Sequence, residues 1–191
     1  MIKVVRTGPS ENYLGRNRGS DMLIERAAIS DAEEILALQK LAYKSEAEIY
    51  NDFNIPPMVQ TLESMEKDFE NQVFLKALMD GRIIGSVRAH SREGTCYIGR
   101  LIVHPDFQNR GFGTKLMNEV EKIFGTSQRF ELFTGARSER NLYLYQKLGY
   151  KIFKTANITD QTTIVHLGKK IETSPFPSPQ RLPAGRQRGE G

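Results

Sequence analysis

The run Gln108-Asn109-Arg110-Gly111-Phe112-Gly113 stands between an apolar strand and an amphipathic helix. Before it, Cys96-Tyr97-Ile98-Gly99-Arg100-Leu101-Ile102-Val103 reads as a strand from its β-branched and aromatic content. After it, Leu116, Met117, Val120, Ile123 and Phe124 recur at helical spacing. Glycine at the mouth of a helix lets backbone N–H groups approach an anion with no Cβ in the way. The first helical turn adds free donors and the positive end of the macrodipole. The chemistry open to such a segment is phosphate binding, although glycines in this position also serve as plain turns and caps. Gly111-Phe112-Gly113-Thr114-Lys115 is too short for a GxxxxGK loop. A dinucleotide fingerprint is excluded as well, because a third glycine and an alternating βαβ frame are missing. His90, His104 and His166 share no ligand spacing with the single cysteine, so no metal is expected. That cysteine, Cys96, cannot form an internal disulfide and is expected as a small buried apolar residue.

The elements that must position this segment can be read from the rest of the chain. A length of 191 residues suits one domain with a proper core. No apolar run approaches the roughly 20 residues needed to span a bilayer, and the N-terminal segment has no signal-peptide h-region, so a cytoplasmic protein without membrane contact is expected. The net charge of +4 comes from the ends. Residues 22–168 hold 18 basic and 19 acidic side chains, whereas 1–21 hold 4 and 2 and 169–191 hold 5 and 2. Basic and aromatic residues do not interleave as a stacking platform requires, and nucleic acid is not the expected partner. A homodimer is compatible with the sequence.

Residues 1–21 lack apolar periodicity and are expected to be a disordered extension, with Met22 a candidate native start. The Pro/Gly/Arg-rich tail 169–191 is expected to be disordered too, leaving 22–168 as the domain. Within it, Leu23 to Ala27 forms a first strand, and Ser30 with Glu33 a capping box for a helix buried through Ile35, Leu38 and Leu41. Residues 43–60 read as a loop broken by Pro56-Pro57, and Leu62, Met65 and Phe69 mark a second helix. Asp80-Gly81 joins a hairpin, and Arg92 to Thr95 turns into the strand ending at Val103. A strand at 130–134, a helix at 138–148 closed by Gly149, and strands near 150–155 and 162–167 complete a mixed α/β order.

Val103-His104-Pro105 ahead of the loop and Leu144-Tyr145-Gln146-Lys147-Leu148-Gly149-Tyr150 downstream complete two motifs. Over about residues 23–168 the chain resembles the GNAT superfamily of acetyl-CoA-dependent N-acetyltransferases. Gln108, Gly111 and Gly113 match its Q/R-x-x-G-x-G/A motif; Tyr145, Lys147, Gly149 and Tyr150 match its aromatic helix motif. The resemblance implies a mainly antiparallel central sheet of about six to seven strands flanked by about four helices. It implies that Asn109, Arg110, Gly111, Phe112, Gly113 and Thr114 offer N–H groups to the coenzyme A pyrophosphate beside Gln108. Leu101, Ile102 and Val103 would pair with the pantetheine arm, one of their N–H groups polarising the thioester carbonyl. Tyr145 corresponds to the general acid that protonates the departing sulfur. Acetyl-CoA would be a cosubstrate, the reaction a direct attack by an amine.

Two positions depart from the family. Some relatives carry Glu twelve residues before the tyrosine, where this chain has Phe133; Glu131, two residues earlier on the same strand face, is the candidate base. Relatives often carry Asn seven residues before it, where Ser138 stands as an expected N-cap; Asn141, one turn on, is the candidate coenzyme A contact. His90 is a further, unsupported candidate base. Tyr43, Glu46 and Glu48, in the acidic and aromatic segment 43–60, are the candidate acceptor residues, favouring a cationic amine such as a polyamine, an aminoglycoside-like compound or a peptide amino group. The alternative is an acyl-CoA-binding module without transferase activity, consistent with the missing carboxylate at Phe133.

Overall fold

The computed structural model describes residues 22–159 and 162–171. The disorder expected for 1–21 and for the tail from 172 lies outside the described residues. Seven strands form one sheet in the order β1-β2-β3-β4-β5-β7-β6. They are β1 (Leu23–Arg26), β2 (Val73–Met79), β3 (Arg82–Arg92), β4 (Thr95–Val103), β5 (Arg129–Gly135), β6 (Lys151–Asn157) and β7 (Thr163–Lys170). All neighbours are antiparallel except β4 and β5. Five helices accompany them: α1 (Ala32–Tyr50), α2 (Pro56–Val59), α3 (Leu62–Asn71), α4 (Phe112–Ile123) and α5 (Glu139–Lys147).

The two hairpin turns follow from their residues. Asp80 and Gly81, at φ 50° and 76°, and Glu93 and Gly94, at 50° and 76°, are left-handed pairs that suit the twist of the flanking strands. Side-chain alternation then gives the sheet two apolar faces. One is covered by α1 and α3 through Ile35, Leu38 and Met65, the other by α4 and α5 through Phe112, Leu116, Met117, Val120 and Tyr145.

Four expectations need correction. The segment 43–60 is not a loop: α1 continues to Tyr50, because Ala47 and Tyr50 prolong the buried stripe and no Gly or Pro intervenes before Asn51 turns left-handed at φ 48°. Pro56-Pro57, read as part of that loop, instead opens α2, where proline fits the first helical positions. Ser30 forms no capping box; Asp31 accepts the Ala28 N–H at 2.8 Å and closes a 3-10 turn, Ile29–Asp31, that leads into α1. Leu41 is 43% exposed, and the stripe runs through Leu36 and Gln39 instead. β7 also passes the expected domain edge at 168, extending to Lys170, where Lys169 Nζ meets Glu121 of α4 at 2.6 Å.

β4 is irregular along its edge with β3. Ser86 pairs with Ile102 and Arg88 with Gly99, so Arg100 and Leu101 together face Val87 in a β-bulge. Arg100 takes φ 51° there. The extra residue inverts the alternation: Cys96 and Ile98 face α4 before the bulge, Leu101 and Val103 after it, and Ile102 turns to the α1 side. On its other edge β4 pairs with β5 only from Thr95 to Tyr97. Beyond that the two strands separate, while β5 stays paired with β7 through Gly135.

Asp31 ties the start of α1 to the sheet, accepting from Lys76 Nζ at 2.8 and 2.9 Å. Burial opposes its ionisation, but the donors of Lys76 and Ala28 prevail and hold its pKa below the ordinary carboxylate value. A depressed folded pKa stabilises the fold fully above the unfolded Asp pKa of about 4 and is lost as pH falls through the lower folded value. Asp31→Asn should cost about 1–2 kcal/mol at pH 7 in urea unfolding. The difference from wild type should shrink below about pH 4; a difference independent of pH would contradict the ion-pair account.

Candidate functional site

Asn109 at φ 59° and Gly111 at φ 82° curl the chain between β4 and α4. Among the described residues, the N–H groups of Asn109, Arg110, Gly111, Phe112, Gly113 and Thr114 have no acceptor; the first helical bond is from Lys115 N–H to Gly111 C=O at 3.1 Å. Six consecutive free donors at the start of a twelve-residue helix make an anion-binding nest. Gly113 packs closely on α5: a Cβ there would lie 3.3 Å from Leu144 Cδ2, so that side chain would have to give way. Gln108 braces the loop: its Nε2 donates to the Val103 carbonyl at 3.0 Å, and its Oε1 accepts from Arg140 of α5. The Arg110 side chain leaves the cleft and lies over Phe107, 5.4 Å from the ring centre, so only its N–H serves the nest.

A cleft of about 730 Å³ runs from this nest along β4 to α1. Gly99 to Val103 form its floor, Gly111 to Thr114 one end, and Phe133 to Gly135 with α5 a wall. Of the residues expected at the site, Leu101, Ile102, Val103, Gln108, Asn109, Asn141, Tyr43 and Glu46 all line it. Asn141 Nδ2 donates to Thr134 Oγ1 at 3.3 Å and fixes α5 to the end of β5. Tyr145 is 7% exposed, and among the described residues its hydroxyl has no hydrogen bond. Burial, followed by the nearby Tyr43 and Glu46, raises its pKa well above the tyrosine range, so it stands as a neutral phenol able to donate. Its carbonyl accepts the Tyr150 N–H at 3.0 Å across the left-handed Gly149, the closing bond of a Schellman motif. The Tyr150 hydroxyl itself donates to Glu121 at 3.0 Å, a core role.

The far end of the cleft is built where α1 meets the end of β5. Ser138, the first residue of the α5 turn, donates its hydroxyl to Glu46 rather than capping its own helix. The Tyr50 hydroxyl accepts the Arg137 N–H at 2.8 Å. Gly135 admits this convergence: a Cβ there would stand 2.7 Å from Glu46 Oε1 and 2.8 Å from Ser138 Oγ. Arg100, from the bulge, lies over Tyr43 with its guanidinium carbon 5.7 Å from the ring centre.

Two expected residues are elsewhere. Glu131 is ion-paired with Arg129 at 2.5 Å, outside the cleft, and is excluded as the base; the strand carries only Phe133 and Gly135 of that face into the opening. Glu48 is exposed on α1 and does not reach the cleft, because a helix turns residues 46 and 48 about 200° apart. His90 stacks on Tyr97 at 5.3 Å, also outside. Sequence reading missed Arg100, took Ser138 for a cap alone, and placed Tyr50 in the acceptor segment without a partner. The signal for Arg100 was a lone charge inside an apolar strand; the other two needed the true length of α1.

The acetyltransferase (GNAT) family model matches residues 33–150. An acetyltransferase of Yersinia enterocolitica is 28% identical over 148 residues, 74% of this chain and 90% of that protein. The UPF0157 protein YqkA of Bacillus subtilis is 28% identical over 124 residues, 65% of this chain but 36% of that protein, so the chain spans about a third of this relative. Among solved structures, the PaiA N-acetyltransferase from Thermoplasma acidophilum in complex with coenzyme A has TM-score 0.68 at 20% identity, covering 79% of this chain and 99% of its own. The ribosomal-protein-S18-alanine N-acetyltransferase from Escherichia coli has TM-score 0.67 at 12% identity, covering 82% and 97%. At these identities the two structures show a shared fold.

Cys96 is fully buried under the sheet, and burial, then the charge of Glu121, pushes its thiol up to about 12. A thiol so raised holds almost no thiolate at neutral pH and makes no nucleophile. A chromogenic disulfide reagent at pH 8 should find no reactive thiol in the native protein and one after unfolding. Rapid native labelling would contradict this placement.

Proposed function

Since the chain belongs to the acetyltransferase (GNAT) family, we propose that it transfers an acetyl group from acetyl-CoA to a primary amine, by direct attack within a ternary complex. The observation that carries this reading is the convergence on one cleft of six free N–H groups, an unpaired strand edge and a buried, unbonded phenol.

Each part has a task set by its chemistry. The N–H groups of Asn109 to Thr114 suit the pyrophosphate of coenzyme A, and the bare edge of β4 at Leu101 to Val103 suits its amide-bearing arm. The Gln108 brace occupies the Val103 carbonyl, leaving earlier main-chain groups of that edge for the arm and for the thioester oxygen. The amine nitrogen forms its bond to the acetyl carbon as the C–S bond breaks. Nitrogen gives up a proton and sulfur ends with one, so the exchange balances. Tyr145, neutral and pointed at the cleft, supplies the sulfur proton. Glu46, held by Ser138, stabilises the incoming ammonium and takes its proton toward solvent.

Magnitudes rank these tasks. An alkyl ammonium of pKa about 10.4 costs roughly 4–5 kcal/mol to deprotonate at pH 7, whereas a thiol of pKa about 8.5 leaves readily. Tyr145→Phe should therefore lower kcat by about 10²-fold or less with little change in coenzyme A affinity. Unchanged kcat where chemistry is rate-limiting would remove Tyr145 from the mechanism. Glu46→Gln should lower kcat/KM for the amine by about 10²-fold, with the loss largest below the amine's pKa; a loss equal at every pH would point to a merely structural Glu46.

The reading as a whole is tested by thiol release from acetyl-CoA over a panel of amines. Acceptor-dependent release supports it. Coenzyme A binding without such release across the panel would favour an acyl-CoA-binding module.

A further inference from the structure

Partly buried cations in this protein are matched to carboxylates. Lys76 has Asp31 at 2.8 Å, Arg88 has Asp68 at 2.5 Å, Arg129 has Glu131 at 2.5 Å, and Lys169 has Glu121 at 2.6 Å. Arg100 breaks the pattern. Among the described residues it makes no ion pair; its guanidinium interacts with the side chain of Tyr43, and its buried Nε, like that of Arg129, has no hydrogen-bond partner. The bulge at φ 51° sends this side chain to the α1 wall of the cleft, over Tyr43. An uncompensated guanidinium in a half-enclosed site is costly unless something else brings the negative charge.

Three features bear on which anion would suit Arg100. Its location is the acceptor end: Arg100 stands three residues before the end of β4, on the α1 wall beside Tyr43 and away from the nest that suits the pyrophosphate. Its charge is single, because the neighbouring Arg88 is already neutralised by Asp68, leaving one free guanidinium. One planar guanidinium matches one planar carboxylate, with two parallel hydrogen bonds. Its companion charge is positive: Glu46 lies three residues from Tyr43 on α1, so the two are neighbours on one helix face, about 5–6 Å apart at Cβ. One small zwitterion can therefore meet Arg100 and Glu46 at once.

We propose that the acceptor is an amine bearing a carboxylate, of amino-acid type, whose carboxylate pairs with Arg100 while its amino group lies at Glu46 beside Tyr145. This deepens the reading above and rests on it. It also narrows the expected cationic amine, an expectation that attends to Glu46 and leaves out Arg100. A polyamine would place a further positive charge beside an unneutralised guanidinium, and like charges at such range repel.

The test compares kcat/KM for matched acceptors differing only in the carboxylate: an amino acid, its carboxamide and the amine lacking that carbon. The free carboxylate should be preferred by about 10-fold or more, the range of a charge-assisted hydrogen bond. Arg100→Gln should erase that preference by lowering kcat/KM for the carboxylate member alone, and Arg100→Lys should restore part of it. The wild-type comparison needs no variant, so it decides the matter even if Arg100→Gln folds poorly. Equal use of all three acceptors by wild type, or an equal loss for all three in Arg100→Gln, would overturn the proposal while leaving the acetyl-transfer reading intact. Absence of thiol release with every amine would overturn that reading and this proposal with it.

Discussion

β4 and β5 share a parallel ladder over Thr95 to Tyr97 and then part. Main-chain groups bared inside a sheet carry a desolvation cost unless something pairs with them, so the gap demands an occupant or water. It persists because each strand is held on its far side. β4 follows β3 up to Val103, and β5 follows β7 up to Gly135. The helices then plug the ends of the wedge without closing it. α4 begins at one rim with unpaired N–H groups, and α1 ends at the other against Arg137 and Ser138. The bulge at Arg100 adds a second consequence: the residues after it change faces, which brings Leu101 to the α4 side and the guanidinium to the α1 side.

Two polar braces keep the cleft open at a fixed width. Gln108 links the Val103 carbonyl to Arg140, so the nest, the end of β4 and the start of α5 form one unit. Glu46 with Ser138, and Tyr50 with the Arg137 N–H, join α1 to the same α5 turn from the opposite side. Tyr145 lies between these braces, and its backbone is fixed by the Tyr150 N–H. Its phenol is thus placed by neighbours rather than by a hydrogen bond of its own. That leaves the hydroxyl free to act on a ligand.

Much of this was legible in the sequence because the signals are local. The hairpins come from left-handed Asp-Gly and Glu-Gly pairs, the nest from Gly111 and Gly113, and the α5 stop from Gly149. Long-range features were not legible. The end of α1 depended on Tyr50 reaching Arg137, 87 residues away, while its own composition resembled a polar loop. Ser138 had the right residue type for a cap, but the Glu46 carboxylate won its hydroxyl. Glu131 had the right strand face and the wrong end of the strand, still within the β4–β5 ladder before the wedge opens. Arg100 could not be oriented without the bulge, which is a property of pairing with β3.

We propose that the parting of β4 and β5 and the free amides beyond it form one coenzyme A site. Amide-resolved NMR titration with coenzyme A tests it most directly. The account predicts the largest shift changes and new exchange protection at the N–H groups of Asn109 to Thr114 and along Gly99 to Val103. Perturbations centred elsewhere, or none at saturating coenzyme A, would contradict it.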